Sequence, residues 1–415
     1  MSMQIGIIVI LANIFLMLKK IDKGIYLFII LSFISPNIIY SGMIMSYEFV
    51  AFFPMFFIYI VKSKFKIAVN KGTMILGGIF ILTVISTMIS YFRYDVNLQL
   101  VPLLGHLRYL LLFVILTKYF NKSKSRYSNI IFVLLLLNVI VVTVQLLIPQ
   151  SVHFFYDLYT PSYNFGPLYY VKYIGKFHRG YGTFASPVYL SIFSLIAFSL
   201  FLANETESNK KFNIIGLIMA IYCGLTSLTK TFILGMPIII FIDLLLRKKL
   251  SKKRDVNRKK ISRFFLFLSI VVGTIIGIVF LTNYGFPIFQ YMGYLIRPIE
   301  AFSTRYSFES GNMTHLLEVV LENPIIGVGV NNIKGEFIGD SGYFILLHHS
   351  GFVGMVLFLS LFTSLFWYSY VKKHKTIFYV GLSILLIGFS NTFFRLNIFL
   401  ALSFICNERI NKVDD

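Results

Sequence analysis

Acids, arginines and histidines crowd into one part of this chain. Of its 17 Asp and Glu residues, Glu300, Glu309, Glu318, Glu322, Glu336 and Asp340 lie between residues 283 and 340, with Arg297, Arg305 and His315 among them. The stretch runs on through Asn323-Pro324 and Gly327-Val328-Gly329 to Asp340-Ser341-Gly342-Tyr343 and the pair His348-His349. A carboxylate or an imidazole can take a proton from a hydroxyl. A guanidinium fork matches phosphate oxygens at two points. No G-x-x-x-x-G-K-[ST], H-E-x-x-H or G-x-S-x-G occurs. His348 and His349 are adjacent, so on a helix they diverge rather than share a metal. No metal site and no cofactor is indicated, and the energy for a reaction has to come with the substrate, as in an activated lipid diphosphate.

The elements that must position these residues are apolar. The chain has 415 residues, 57% hydrophobic and 13% charged, against roughly 25% charged in a soluble protein. Apolar runs of about 17–22 residues recur, each long enough to cross ~30 Å of hydrocarbon as a helix. The pattern predicts an all-α polytopic integral membrane protein, a single membrane domain over 1–415, rather than the short alternating segments of a β-barrel. Spans are expected at about 3–18, two within 24–61 broken near Ser35-Pro36-Asn37, then 72–92, 100–117, 128–148, 186–203, 212–228, 231–246, 264–282, 341–371, 376–391 and 396–406, about 12–13 in all. The first run has no basic segment before it and no A-x-A-like site, so it reads as a span rather than a cleaved leader.

The net charge of +21 is the charge of short loops, not of a nucleic-acid-binding face. Lys and Arg dominate the segments after the first, third, fifth, ninth and eleventh spans, including the basic loop 247–263. That places those loops in the cytoplasm, against anionic lipid. The two long loops, 150–185 and 283–340, fall together on the opposite side, the periplasm or the outer surface. Cys223 and Cys406 lie in apolar runs and imply no disulfide framework. A pore or carrier places polar groups near the middle of its spans, whereas here the spans are nearly free of charge. Glu48, Asp243, His106 and Arg108 are the exceptions. Arg108, one or two turns into its span, is a candidate to face a cavity at the outer side; snorkelling or a helix–helix contact is the alternative.

Two stretches carry a resemblance. Asn323-Pro324-Ile325-Ile326-Gly327-Val328-Gly329, followed by Asp340-Ser341-Gly342-Tyr343 and an apolar run through Gly351 and Gly354, resembles the C-terminal signature of the O-antigen polymerase and O-antigen ligase family. Ser303-Thr304-Arg305 precedes it as that signature expects. Arg179-Gly180-Tyr181-Gly182-Thr183 through Ser186-Pro187 is similar to the arginine–glycine run that closes the family's earlier outer loop. The motifs cover about 60 residues. The resemblance implies a fold of the type-C glycosyltransferase kind. It also implies metal-independent, inverting transfer of glycan from an undecaprenyl-diphosphate donor in the bacterial inner membrane, as in lipopolysaccharide or capsule synthesis. A polymerase moves the growing glycan onto the next lipid-linked repeat unit, and a ligase moves it onto lipid A core. The implied partners are that lipid-linked oligosaccharide, membrane lipids and a chain-length regulator. Ligases carry His-Asn where this chain has Asp340-Ser341, which favours the polymerase.

Under that resemblance, Arg305 and Arg179 are the candidates to hold the diphosphate, with Arg297 and Arg108 beside them, because fixed positive charge must stabilise the leaving group. Asp340 is the candidate proton acceptor, and it could equally cap a helix with Ser341. His315 and His349 are the other candidate catalytic groups, packing being the alternative for His349. Tyr343, Gly327 and Gly329 are candidate substrate contacts, the glycines through close backbone approach or simply as a tight turn. Glu318 and Glu322 share one helical face, a solvated face unless they serve the site.

Overall fold

The computed structural model describes residues 3–35, 38–40, 43–64, 69–121, 125–159, 179–184, 186–203, 210–250, 314–333 and 341–408. These form helices α1 (Met3–Lys19), α2 (Ile21–Ile34), α3 (Tyr47–Lys62), α4 (Lys71–Tyr94), α5 (Leu100–Asn121), α6 (Ser125–Leu147), α7 (Pro149–Tyr159), α8 (Pro187–Ala203), α9 (Lys210–Thr226), α10 (Lys230–Leu250), α11 (Thr314–Glu322), α12 (Gly342–Lys372), α13 (Lys375–Gly388) and α14 (Leu396–Glu408). One small antiparallel hairpin, β1 (Ile38–Tyr40) with β2 (Met43–Met45), follows the expected break after Ser35, with Ile38 opposite Met45. Helices α4, α5, α6 and α12 are each long and apolar enough to cross a membrane; α1, α8, α13 and α14 are shorter apolar helices. With the composition of the chain, they make this a helical membrane protein.

Helix α8 is the centre of the bundle. Nearly every residue from Leu190 to Leu200 is fully buried, as its apolar character on all sides demands. It packs on α9, α10 and α13, while α5 packs on α14 and α4 on α12. Most lysine-bearing helix ends fall together, Lys230 at the start of α10 being an exception. Lys19, Lys62, Lys118 and Lys372 close α1, α3, α5 and α12, and Lys71, Lys210 and Lys375 open α4, α9 and α13. Because neighbouring helices alternate in direction, these lysines mark one end of the bundle. The opposite end holds the α3, α8, α12 and α14 starts and the α2, α4, α6, α9 and α13 ends.

At that opposite end, several helices stop short and irregular backbone takes over. Non-helical backbone inside an apolar bundle has to find hydrogen bonds within the protein. Residues Gly180–Phe184, which the sequence pattern assigns to a loop at the interface, are buried instead. Two amides on α6 account for this. Gln145 Oε1 accepts from Tyr181 N at 3.1 Å and Gly182 N at 3.0 Å, and its Nε2 donates to Gly182 O at 3.0 Å. Asn138 Oδ1 accepts from Thr183 N at 2.9 Å. Gly182 has φ +62, and a side chain there would collide with Asn138. The preceding loop also contains a helix, α7, that hydropathy alone does not separate from it.

The second irregular segment is 323–333. Helix α12 is broken at Gly351, with φ 63 and ψ −164, a conformation essentially reserved for glycine. The freed N–H groups of Phe352 and Val353 donate to Pro324 O at 2.7 Å and Ile325 O at 3.1 Å, and Val328 N donates to His348 O at 2.7 Å. On its other side the segment sits on the hydroxyls of α4. Ser90 Oγ donates to Val328 O at 2.7 Å, and Thr87 Oγ1 accepts from Val330 N at 3.1 Å. Asn331 Nδ2 donates to Thr87 O at 2.9 Å.

Candidate functional site

A polar cavity of about 530 Å³ opens among α2, α3, α5, α7, α8 and α14, at the end of the bundle away from the lysines. Its size lies within the range usual for small-molecule sites, about 300–1,000 Å³. Three charged side chains reach its wall: Glu48, Arg108 and Arg395.

Glu48 is the second residue of α3. Ser46 Oγ accepts from Phe49 N at 3.2 Å and caps the helix, and Tyr47 OH accepts from Asn13 Nδ2 of α1 at 2.9 Å. These two bonds fix where α3 begins, and so where the carboxylate lies. Arg108 is in the third turn of α5, with its guanidinium 4.7 Å from the Tyr109 ring centre and 5.2 Å from that of Phe49. Its Nη2 is 3.4 Å from Glu48 Oε1. Arg395 comes from the turn between α13 and α14. The neighbouring Phe394 stacks on His106 at 3.8 Å between ring centres, which ties that turn to α5 within one helical turn of Arg108. The Arg395 carbonyl accepts from Ile398 N and Phe399 N, opening α14, while its guanidinium lies 4.1 Å over the Tyr189 ring. Arg395 is within electrostatic reach of Glu48.

These groups leave hydrogen-bonding capacity open. Glu48 Oε1, Arg108 Nε and Arg395 Nε are buried and make no hydrogen bond among the described residues. Buried polar atoms are normally satisfied, so the arrangement fits a site that awaits a ligand. Two guanidiniums can hold a phosphate or diphosphate, one carboxylate can take a proton, and Tyr109, Tyr159, Tyr189, Phe33 and Phe184 add aromatic surface to the lining. The irregular backbone of 179–184 contributes Thr183 and Phe184 to the wall, and Ser186 follows. Tyr159 OH donates to Ile34 O at 2.9 Å, closing α7 over the end of α2. Among the described residues, no group of three or more His, Cys, Asp and Glu side chains is placed to hold a metal.

Of the residues singled out in the sequence, Arg108 is in this wall. Arg179 is at the α9–α10 turn, where its Nε donates to Ser227 O at 3.0 Å, and it does not line the cavity. His349 is buried in a ring cluster with His106, 5.0 Å between centres, and His348 at 5.6 Å. It packs behind Phe394 and so braces the turn that carries Arg395. Tyr343 packs on Phe389 and Phe393, and its hydroxyl donates to Leu385 O at 2.7 Å. Gly327 and Gly329 have φ +70 and +73; a side chain on Gly327 would strike the α12 backbone at His348, and one on Gly329 would strike Thr87 of α4. Their close approach is therefore to helices α12 and α4, away from the cavity. Ser341 opens α12 without a side-chain cap; its Oγ donates to Gly388 O at 3.3 Å instead. Glu318 and Glu322 are on the exposed face of α11. Arg297, Arg305, Asp340 and the His315 side chain lie outside the described residues.

Arg395 is not among the residues that the sequence singles out, and Glu48 stands there only as a charge within the spans. A signal for Arg395 is nonetheless present. Arginines on the side opposite the lysines run against the positive-inside bias, and a lone Arg between the last two apolar runs is such a case. No family model matches the chain, and no curated protein matches it significantly.

Proposed function

We propose that this protein is a polymerase of undecaprenyl-diphosphate-linked oligosaccharide repeat units, a membrane glycosyltransferase working at the outer face of the cytoplasmic membrane. The observation that carries the reading is the convergence of Arg108 and Arg395, with open guanidinium donors, on a polar cavity at the lysine-poor end of the bundle. By the positive-inside bias, that end faces away from the cytoplasm. The two arginines bind the donor diphosphate and stabilise it as it leaves, since electrostatic stabilisation of developing charge is usually the largest catalytic contribution. The aromatic walls hold the sugars. Arg305, from the second outer loop, adds to the grip on the diphosphate as the sequence motif implies. Membrane lipids surround the apolar faces, and a separate protein sets chain length.

In cells whose surface glycan depends on this protein, deleting its gene is expected to leave single-repeat glycan. An unaltered ladder on a gel would overturn the reading. Arg108→Ala and Arg395→Ala are each expected to abolish polymer while the protein stays in the membrane, a loss of at least about 100-fold in transfer. Arg305→Ala is expected to do the same. Deletion of a ligase would instead leave full-length polymer accumulated on the lipid carrier. A transporter would fail to join purified repeat units in detergent, where the polymerase succeeds.

A further inference from the structure

We infer that Glu48 holds the diphosphate place between the arginines until donor binds, and then takes the proton from the acceptor hydroxyl. This rests on the polymerase reading for its second half only. The contact between Glu48 Oε1 and Arg108 Nη2, at 3.4 Å, lacks hydrogen-bond geometry, and the buried Oε1 has no other partner among the described residues. The Nε atoms of Arg108 and Arg395 are equally unfilled. A settled structural ion pair would be hydrogen-bonded, because breaking or leaving open a buried charge is costly. This one is a loose pair that a better anion can displace. A diphosphate brings several oxygens and more charge than one carboxylate, and it suits the guanidinium fork better. Helix position explains an acid in the first turn of α3, but not its direction into the cavity beside two arginines.

Displacement ties the two substrates together. With its counter-charge taken by the diphosphate, Glu48 stays on the cavity wall, free to bond to a hydroxyl of the incoming repeat unit. In the transfer, that hydroxyl's proton passes to the Glu48 carboxylate, and its oxygen forms a bond to the anomeric carbon of the donor glycan. The bond from that carbon to the phosphate oxygen breaks. The electron pair leaves with the lipid diphosphate, held by Arg108 and Arg395, and the proton later passes from Glu48 to water. No oxidant, metal or second cofactor enters the balance.

The test uses the purified full chain in detergent with inorganic pyrophosphate, and the same variants in cells. Removing the competing charge in Glu48→Gln is expected to tighten pyrophosphate binding by about tenfold or more, whereas Arg108→Ala loses it. In cells, Glu48→Gln is expected to leave single-repeat glycan. Binding and transfer therefore move in opposite directions, which a merely structural Glu48 would not produce. Unchanged or weaker pyrophosphate binding, or polymer of normal abundance, overturns the proposal. If Glu48→Gln is not recovered from membranes, Glu48→Asp decides. It withdraws the charge by one methylene and is expected to bind pyrophosphate several-fold tighter and to make less polymer; no change in either overturns the proposal. If deleting the gene leaves polymer untouched, the glycan reading fails, and the pyrophosphate arm still judges the displacement.

Discussion

Residues 179–184 and 323–333 are both glycine-bearing and non-helical, each with a buried stretch at 180–184 and 327–331, yet they do different work. The first is held mainly by side chains of one helix, Asn138 and Gln145 of α6 meeting its backbone at four points, with further bonds from Gly180 N to Thr226 O and from Tyr181 OH to Val152 O. The second is held mainly through its own main chain, bonded to both sides of the α12 break and to the hydroxyls of α4. The first delivers Thr183 and Phe184 to the cavity wall; the second mends a broken helix and contributes no described residue to that wall. Irregular backbone in an apolar bundle has to be satisfied in either case, so glycine content and a buried backbone do not tell which segment reaches the cavity. What decides it is where the clamped backbone leads.

The contrast between the two segments is most exposed at Gln145. Gln145→Leu strands the N–H groups of Tyr181 and Gly182 and the Gly182 carbonyl, at roughly 1–3 kcal/mol each. The expected result is a large drop in the thermal midpoint in detergent together with loss of pyrophosphate binding. A variant that melts normally and binds normally would show that the clamp does not matter. Next comes Gly351→Ala, which puts a side chain where φ is +63 and against the Ile325 carbonyl. It should cost about 1–3 kcal/mol and lower the midpoint, while the folded fraction binds pyrophosphate as before. Weakened binding there would mean that the α12 break is coupled to the cavity after all. The smallest effect is expected of Ser90→Ala, which removes one hydroxyl from the Val328 and Asn331 contacts at about 1 kcal/mol. A small fall in midpoint with unchanged binding fits the division of labour; a loss of binding would erase it.

Much of the scaffold is legible in the chain's hydropathy pattern. The apolar runs fall where α4, α5, α6, α8 and α12 lie, and the tight turn near Thr229 separates α9 from α10. The glycines of 323–333 do make close backbone approaches, but towards helices that no motif could name. The burial of 179–184 is not legible, because Asn138 and Gln145 read in sequence as two polar residues in an otherwise apolar helix. The same limit applies to the cavity. Arg108 stands out as a charge inside a span, but its partners cannot be paired with it from local pattern.

Composition and period alone make this a helical membrane chain, show which helix ends are lysine-rich, and show which stretches carry anion-binding and acid–base residue types. All of these are local properties, readable one segment at a time. It takes the packed bundle to bring Glu48, Arg108 and Arg395 to one cavity and to assign Arg179 to a turn. The three sit on α3, on α5 and just before α14, and what unites them is packing: Tyr47 on Asn13, Phe394 on His106, and α5 on α14. Contacts between elements remote in sequence depend on how side chains of different helices interlock, and no single segment encodes that.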